Sequence, residues 1–442
     1  MANGNVTFKV GGVHMNEYKE ATEKAPIEKL PAPQLVRIPM SQHIGAPCKP
    51  QVAVGDRVLK GQVIGSSDAF ISAAIHSSVA GTVKSIVKDF AADGRYTDII
   101  EIENDGTDEL DPSIQPLANY ETMSIDELMG HVKAAGIVGM GGAGFPLHAK
   151  LKNDQPPLDV VVLNGAECEP FLTCDHRMMV EEATSVIGSL DLFAKLYNTD
   201  EAYIAIEENK PDAVQVSQEY IQNMNPKLKV SVMKTKYPQG DSKRQSEAVV
   251  GRIVPPGGVT NNVGVFLTNI QTAVAFYDLV KTGMPSIERV LTVSGSGIQN
   301  PKNLLVPVGT RVQDILDFCG VKDGVVDIVC GGPMTGKSVF DTNAPITKTT
   351  SGILALTEEE IDTKATSSPC IQCDRCIDHC PANINPTRIN AAIERGRIDV
   401  CTTFKADQCM ECGICSFVCP AKRPLASSVK LAKREVMANK RK

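Results

Sequence analysis

The sequence predicts a multidomain α/β protein. Its 442 residues suffice for roughly three or four domains, each with its own core. Short apolar alternations broken by Gly come first, helix and strand patterns alternate in the middle, and nine of the fourteen cysteines lie between Cys370 and Cys419. Because these three patterns differ so strongly, they indicate separate modules joined in one chain.

The first module is predicted to be all-β. Residues 1–29 are polar and rich in lysine, and we expect an N-terminal arm or an added sheet edge. Residues 30–105 alternate as strands do, and the segments Gly55–Ile64 and Ala80–Val83 resemble the barrel-sandwich hybrid of biotinyl and lipoyl carriers. A carrier needs a lysine at the tip between these segments, and none lies between Lys60 and Lys84. We therefore interpret this barrel-sandwich hybrid as structural.

The middle of the chain, residues 121–285, is predicted to be a layered α/β domain. Ser124-Ile-Asp-Glu127 predicts a capping box that starts a helix, and Gly136 can end that helix. The apolar strand patterns DVVVLN, AYIAIE and KVSVMKT then alternate with helices over about Asp175–Tyr197 and Asp212–Asn223. Such alternation is typical of helices packed on a mostly parallel sheet.

The last part of the chain holds two further modules and a tail. Residues 286–356 return to short strands around one short helix, VQDILDFCG, a pattern that resembles a β-grasp-like module of the SLBB type. Residues 362–425 are helical in pattern and rich in cysteine. Residues 426–442 form a basic tail, which we interpret as a solvated helix end. The alternative is a contact with an anionic membrane surface or an acidic neighbouring protein.

The cysteine-rich region contains two copies of the motif Cys-x2-Cys-x2-Cys-x3-Cys-Pro. Bacterial ferredoxins with two [4Fe–4S] clusters use this spacing, and the fourth Cys of each run binds the other cluster. Three thiolates spaced by two residues can hold three corners of one cubane, whereas the fourth is carried away from it. We expect one cluster on Cys370, Cys373, Cys376 and Cys419, and the second on Cys409, Cys412, Cys415 and Cys380.

Zinc is the alternative occupant, because paired thiolates also form tetrahedral zinc sites. Structural zinc sites usually take two such pairs, so a duplicated triplet with a distant fourth Cys favours iron–sulfur clusters. The segment INPTRINAAIERGR between the motifs favours a helical two-cluster ferredoxin-type domain. Cys401 fits neither spacing, and we expect it to be a buried free thiol.

A glycine-rich loop follows the first predicted helix. Gly139, Gly141, Gly142 and Gly144 include the pattern G-x-G-x-x-G, which is typical of dinucleotide sites when a strand leads into it. Here a helix leads into the loop and the strand DVVVLN follows it. Even without the strand, closely spaced glycines leave backbone N–H groups exposed. These groups can approach a phosphate or an aromatic ring system.

Several motifs in this region resemble a known family. GIVGMGGAGFPLHAK is similar to the flavin loop G-x-x-G-R-G-G-A-G-F-P-T-G-x-K of the flavin- and NADH-binding subunit of respiratory complex I, and NGAECEP is similar to its N-x-D-E-x-E-P. LTCDHRMM, YPQGDSKRQSEAVVGR and the terminal cysteine motifs make the closer resemblance one to the C subunit of the Rnf complex, a membrane-bound ferredoxin:NAD oxidoreductase coupled to ion transport. The resemblance covers nearly the whole chain and implies a Rossmann-like flavin domain.

The resemblance also implies site residues. The positions carried over for FMN and NAD(H) are Gly139, Gly141, Gly142, Gly144, Lys150, Asn164, Glu167, Glu169, Tyr237, Gly240, Thr268 and Asn269. Glu169 is the implied contact of the nicotinamide nucleotide. The sequence departs from complex I at Met140, which replaces Arg, at Ala166, which replaces Asp, and at Asp241-Ser242, which replaces Glu-Glu. Glu167 and Glu169 directly follow an apolar strand, where α/β sheets bind ligands; the alternative is a solvated loop.

The two cofactor types transfer electrons in different numbers. A nicotinamide exchanges two electrons as hydride and a [4Fe–4S] cluster passes one at a time, so FMN is the converter between them. We expect electrons to pass between clusters, FMN and NAD(H) in either direction, with no catalytic side chain. The resemblance further implies ferredoxin, a ferredoxin-like subunit and integral membrane subunits as partners.

Composition and hydropathy bear on location. The net charge of −7, without a domain-sized basic patch, argues against nucleic acid as a partner. The sequence has no predicted membrane span and begins without a signal pattern, so we expect a peripheral subunit on the cytoplasmic face of the cell membrane.

Two other functions stay open at this point. One is a cobalamin reductase of a diol-degrading microcompartment, which resembles the same family. The other is an electron-transfer scaffold whose flavin site does not work. LTCDHRMM and the basic tail favour the Rnf complex.

Overall fold

The computed structural model describes residues 5–152, 156–361 and 366–440. Residues 1–4 of the predicted arm, 362–365 of the predicted ferredoxin-type domain and 441–442 of the predicted tail lie outside the described residues. The strands are β1 (Ile27–Lys29), β2 (Leu35–Pro39), β3 (Lys49–Pro50), β4 (Arg57–Val58), β5 (Val63–Ser66), β6 (Ile75–His76), β7 (Gly81–Phe90), β8 (Tyr96–Asn104), β9 (Val160–Gly165), β10 (Ala202–Glu207), β11 (Lys229–Met233), β12 (Val265–Asn269), β13 (Glu288–Ser294), β14 (Lys302–Pro307), β15 (Val325–Cys330), β16 (Lys337–Ser338) and β17 (Gly352–Thr357).

The helical elements are mostly short. The α-helices are α1 (Ile125–Ala134), α2 (Cys174–Glu181), α3 (Ala183–Leu196), α4 (Pro211–Met224), α5 (Ser242–Val250), α6 (Ile270–Thr282), α7 (Val312–Cys319), α8 (Arg375–Asp378), α9 (Pro386–Ile393), α10 (Ile398–Thr403), α11 (Ile414–Phe417) and α12 (Leu425–Lys440). In the described parts of the chain, four 3₁₀ helices cover Tyr120–Thr122, Leu147–Lys150, Thr260–Val263 and Ala406–Gln408.

The predicted all-β module forms two small sheets. One has the order β2-β8-β7-β4 and the other β3-β5-β6, with antiparallel neighbours. Alternate residues of both sheets point inward, and Val36, Ile38, Ile64, Ile75 and Ile100 are buried in their common core. Strands β7 and β8 form a long hairpin whose turn, residues 91–95, reaches away from this core towards the next domain.

The α/β domain is built on a parallel sheet with the order β11-β10-β9-β12. The chain moves outward from β9 through β10 to β11, and then returns to place β12 on the other side of β9. Winding therefore reverses between β9 and β12, and such a reversal is where open α/β sheets bind ligands. The register sets Asn164 of β9 beside Asn269 of β12 at the carboxyl ends of these strands.

The helices of this domain agree with those predicted from the sequence, with one exception. The capping box of Ser124 and Glu127 at the start of α1 is confirmed, and Gly136 follows the helix with a φ of 69°. The single helix predicted over Asp175–Tyr197 is wrong. It is two helices, α2 and α3, because Glu182 leaves the helical region, with φ −112° and ψ 33°.

The region 286–356 lies in a mixed sheet with the order β1-β14-β13-β17-β15-β16, and α7 packs against it. Its first strand comes from the N-terminal arm, since β1 pairs in parallel with β14. Upstream, Val6 bridges to Met233 and Val13 bridges to Tyr237 of the α/β domain. The described part of the arm is thus an added edge, as the sequence suggests.

The cysteine motifs lie among α8–α12. Ile389 and Cys401 are fully buried there, together with Val429, Ala432 and Val436 of α12. Cys401 is fully buried, as predicted, and its role as a free thiol stays a prediction. Residues 426–440, which we expected as a tail, belong to α12 and pack on this core. Within the described ranges, no helix combines the length and apolar character needed to cross a membrane.

Candidate functional site

A cleft of about 700 Å³ opens at the carboxyl ends of β9 and β12. Its walls come from the α/β domain, the β7–β8 turn, the mixed sheet and the cysteine region. The predicted site residues that line it are Gly141, Gly142, Asn164, Glu167, Glu169, Tyr237, Gly240 and Asn269. The cleft therefore gathers residues from separate segments of the sequence at the topological switch point.

Three helix N-termini meet this edge of the sheet. Asn269 ends β12 and caps α6, because its Oδ1 accepts N–H bonds from Gln271 and Thr272. Asp241 caps α5 in the same way. Glu167 accepts N–H bonds from the first turn of α2. All three capping side chains line the cleft, and two of them, Asp241 and Glu167, are acidic and accept the first N–H groups of their helices.

The glycine-rich loop divides into two parts. Gly141 and Gly142 are exposed to the cleft, and a Cβ on Gly142 would have no atom within 4 Å. Gly144 instead has a φ of +76° and lies against the first module, where a Cβ would be 3.0 Å from the carbonyl oxygen of Gln42. Gly139 donates its N–H to the oxygen of Phe145 and does not line the cleft.

Partly buried Glu167 and buried Asp175 form an acidic pair beside the loop. Glu167 Oε1 lies 2.7 Å from the backbone nitrogen of Asp175, and Asp175 accepts bonds from Asn269 Nδ2 at 2.6 Å and Gln271 Nε2 at 2.9 Å. Burial raises the pKa of Asp175, and the nearby Glu167 carboxylate raises it further. Thr268, next to Asn269, is buried within β12 and does not line the cleft.

Glu169 connects the α/β domain to the mixed sheet. Its carboxylate accepts bonds from the backbone nitrogen of Met334 at 3.0 Å and from Thr335 Oγ1 at 2.5 Å. Burial raises the pKa of Glu169, while these two hydrogen bonds lower it. The carboxylate therefore closes one wall of the cleft.

Tyr237 and Gly240 connect the cleft to the cysteine region. Asn164 Nδ2 donates to the oxygen of Gly240 at 2.8 Å, which fixes the loop against the end of β9. The Tyr237 hydroxyl donates to the backbone oxygen of Cys412 at 2.9 Å, and Cys412 itself lines the cleft.

Lys150 lies outside the residues that line the cleft. It ends a short 3₁₀ helix, is partly buried, and its Nζ lies 5.9 Å from the centre of the Phe145 ring. Burial lowers the pKa of Lys150. The structure thus places this lysine beside the base of the glycine-rich loop.

Sequence reasoning missed several cleft residues. Arg289 of β13, Arg95 of the β7–β8 turn, Asp175 and the segment Thr349–Ser351 all line the cleft. Asp175 lies in the LTCDHRMM motif but had no predicted role, and the others lie in no motif. They converge only through the tertiary fold. One signal was available for Arg289, because a single arginine within the apolar strand pattern ERVLTVS is unusual.

The first cysteine group combines both motifs. Burial, together with the neighbouring thiols of Cys419, Cys370 and Cys373, raises the pKa of Cys376 to about 11. Cys419 therefore lies with the first run rather than with its own. Cys370 and Cys373 are exposed, so this group lies at the protein surface.

The second cysteine group lies deeper. Burial raises the pKa of Cys415, with further contributions from Cys409, Cys412 and Cys380. All four cysteines line one small cavity. Cys412 also borders the large cleft, so this second group shares the cleft with the glycine-rich loop.

The spacing of the sulfurs distinguishes the two metal alternatives. A tetrahedral zinc site with Zn–S bonds of about 2.3 Å holds its sulfurs roughly 3.8 Å apart, whereas a cubane separates them more widely. Among the described residues, no three of these sulfurs lie within 4.8 Å of one another. The donor set and its spacing therefore fit iron–sulfur cubanes better than zinc.

Two family models match the chain. A Nuo51 FMN-binding domain matches residues 132–278, and an RnfC barrel sandwich hybrid domain matches residues 6–107. The predicted barrel-sandwich hybrid and flavin-binding domain of this multidomain α/β chain are thereby confirmed. The SLBB-type β-grasp-like module and the ferredoxin-type domain stay predictions.

Similar proteins span most of the sequence. The chain is 43% identical over 385 residues to the C subunit of a proton-translocating ferredoxin:NAD(+) oxidoreductase complex from Clostridium ljungdahlii, covering 86% of this chain and 83% of that protein. It is 42% identical over 440 residues to the Na(+)-translocating counterpart from Acetobacterium woodii, covering 99% and 98%. A crystal structure of an NAD+-reducing [NiFe]-hydrogenase aligns with a TM-score of 0.49 at 17% identity, over 72% of this chain and 62% of that one. The chain belongs to the family of C subunits of the ion-translocating ferredoxin:NAD(+) oxidoreductases.

Proposed function

We propose that this chain is the peripheral NAD(H)-binding subunit of a membrane-bound ion-translocating ferredoxin:NAD oxidoreductase, and that it passes electrons between NAD(H), FMN and two [4Fe–4S] clusters. One observation carries the proposal. The cleft with the flavin-type loop is lined by Cys412, a member of the second cysteine group, so the two cofactor sites share a wall.

The cleft fits a flavin nucleotide. Its mouth carries exposed glycines, its edge carries three helix N-termini, and its wall carries the buried guanidinium of Arg289. Bound FMN supplies the exchange between two-electron hydride chemistry and one-electron cluster chemistry. Gly141, Gly142, Asn164 and Asn269 would hold it.

The remaining predicted residues have supporting places. Gly139, Gly144 and Thr268 would shape the loop and strand behind the flavin, and Lys150 would add positive charge at the base of the loop. Glu169 would contact the nicotinamide nucleotide through its carboxylate. The same carboxylate accepts hydrogen bonds from Met334 and Thr335.

The second cysteine group is proposed as the cluster next to FMN. Tyr237 holds Cys412 against the cleft through its hydroxyl, and Gly240 lies in the same loop. The first group, at the surface, would exchange electrons with an iron–sulfur partner. Exposed Ile371 lies within the first motif, and Phe417 shares a surface pocket with Cys419, Arg375 and Lys422. Such a mixed apolar and basic surface suits an acidic partner, such as a ferredoxin or a ferredoxin-like subunit.

Anaerobic purification with FMN and iron quantification tests the proposal. We expect about one FMN and about eight iron atoms per chain, with NADH:ferricyanide activity. Full iron without FMN and without NADH oxidation would establish the electron-transfer scaffold instead.

Copurification tests the assembly. Copurification with integral membrane subunits would support the proposed complex, with this chain on the cytoplasmic face. A shell-enclosed diol dehydratase system would support the cobalamin reductase.

A further inference from the structure

Arg289 is the largest fully buried side chain of the described chain, with 2% of its surface exposed. It lies in β13 of the mixed sheet, outside the domain that carries the glycine-rich loop. An arginine keeps its charge in a protein interior, and burying that charge costs several kcal/mol unless it is compensated. The guanidinium at this position therefore needs a partner that compensates its charge.

The partners present are only partial. Nε donates to the backbone oxygen of Thr350 at 2.9 Å, and Nη2 donates to the backbone oxygen of Met140 at 3.0 Å. Nη1 is buried and has no hydrogen-bond partner among the described residues. Within the same part of the chain, no carboxylate oxygen lies within ion-pair distance of this guanidinium. Asp175 is the nearby acid whose pKa it lowers.

The residue that carries this unpaired Nη1 also lines the cleft. Arg289 lines it together with Gly141, Gly142 and Thr350. The backbone oxygen that Nη2 holds is that of Met140, the position at which the flavin loop of complex I has an arginine. Arg289 thus brings a cation from another element to the backbone of the glycine-rich loop.

We propose that Arg289 binds the flavin nucleotide, donating Nη1–H to an oxygen of its phosphate or of its ring. The inference rests on the proposed function, because it needs FMN in this cleft. It assigns the mixed-sheet module a direct part in cofactor binding. The same two bonds to Thr350 and Met140 fix the guanidinium plane, so the free N–H has a defined direction before the ligand arrives.

The test measures the FMN affinity of flavin-depleted protein that retains its iron, for wild type, Arg289→Met and Arg289→Lys. We expect the dissociation constant to rise at least about tenfold for Arg289→Met and by less for Arg289→Lys, which keeps the charge but loses the fork. Iron content and cluster EPR signals should stay at the wild-type level. Equal FMN affinity in Arg289→Met and wild type would overturn the inference.

Arg37→Met is the matched control. Arg37 is also buried and also bonds a backbone oxygen of another module, that of Asn343, but it is paired with Asp89 and Glu101 outside the cleft. We expect this variant to lose thermal stability and to keep its FMN affinity. An equal loss of FMN affinity there would show that Arg289→Met acts only through folding, and would overturn the inference.

Riboflavin, which lacks the phosphate, separates the two acceptors, the phosphate oxygens and the carbonyl oxygens of the ring. If the phosphate is the partner, Arg289→Met weakens FMN and leaves riboflavin affinity unchanged. If the ring oxygen is the partner, both ligands weaken, and the flavin midpoint potential becomes more negative because a nearby cation is lost. Either pattern supports the assignment. A wild-type protein that binds no FMN would defeat the proposed function itself, which distinguishes that failure from a failure of Arg289 alone.

Discussion

Glu167 shows how one side chain can serve both the fold and the site. Its backbone has a φ of 48°, which turns the chain sharply after β9 and brings the carboxylate to the N-terminus of α2. The same carboxylate lines the cleft and lies beside buried Asp175. Removing it leaves the first turn of α2 without an acceptor and changes the charge of the cleft wall.

We expect Glu167→Ala to abolish NADH:ferricyanide activity. The cysteine region has its own packed core, so iron content and cluster EPR signals should be retained. Glu182→Ala is the control, because Glu182 is exposed at the opposite end of α2. Unchanged activity in Glu167→Ala would remove this residue from the proposed site.

The crossed cysteine groups make a second prediction at the residue scale. Cys419 follows Cys415 closely in sequence but lies with Cys376, whereas Cys380 lies with Cys415. We expect Cys419→Ala to lose the surface cluster, with iron falling from about eight to about four atoms per chain, and to keep NADH:ferricyanide activity.

Cys380→Ala provides the reciprocal experiment. It should lose the cluster next to the cleft and keep the EPR signal of the surface cluster. If Cys419→Ala removed the same signal as Cys412→Ala, the ligands would not be crossed.

Among the elements, the glycine-rich loop has one glycine that borders the cleft and another that packs against a neighbouring module. Gly142 faces open cleft, while Gly144 packs against the first module with a positive φ. The two positions look equivalent in the sequence, and only their surroundings distinguish them.

Gly142→Ala and Gly144→Ala should therefore have opposite effects. We expect Gly142→Ala to weaken FMN binding at unchanged melting temperature, because its methyl group enters the ligand space. Gly144→Ala should cost about 1–3 kcal/mol of stability, because an alanine at this φ is strained and meets the oxygen of Gln42. Thermal unfolding and FMN titration of both variants check this. A stable Gly144→Ala would contradict the packing role.

The same distinction, between a residue's neighbours in sequence and its neighbours in space, decides what could be predicted from the sequence. The spaced cysteines could be predicted from their own neighbours in sequence, whereas Asn164 was implied only by the resemblance to a known family. Arg289 and Asp175 could not be predicted, because their role depends on which segments meet in space. The break at Glu182 was missed because the apolar spacing continues across it, and periodicity does not report a change of helix axis.

In the whole molecule, Lys348 connects three modules. It belongs to the mixed-sheet module, is 1% exposed, and donates to the oxygen of Ala74 in the first module and of Gly136 in the α/β domain. Burial lowers the pKa of Lys348 from 10.5 to about 7. A neutral amine has two hydrogens, which match these two acceptors.

This shift predicts a pH dependence of stability. Between pH 7 and 10.5 the unfolded chain binds a proton at Lys348 that the folded chain lacks, so the free energy of unfolding gains about 1.4 kcal/mol per pH unit from this group as pH rises. We expect Lys348→Met to lose that gain, so that its melting temperature falls further below wild type at about pH 9.5 than at about pH 7.

Lys88→Met serves as the control, since the Lys88 side chain is 67% exposed. Its melting temperature should follow wild type at both pH values. Parallel curves for Lys348→Met and wild type would show that the buried amine titrates normally.

The composition of the cleft wall also bears on how the protein is made. Residues from Asp93 to Lys433 line the cleft, so no early fragment of the growing chain contains a complete site. Insertion of a flavin nucleotide is then a late event in biogenesis, after the last helix has folded onto the rest. In this order of events, the chain is complete before it can bind the cofactor.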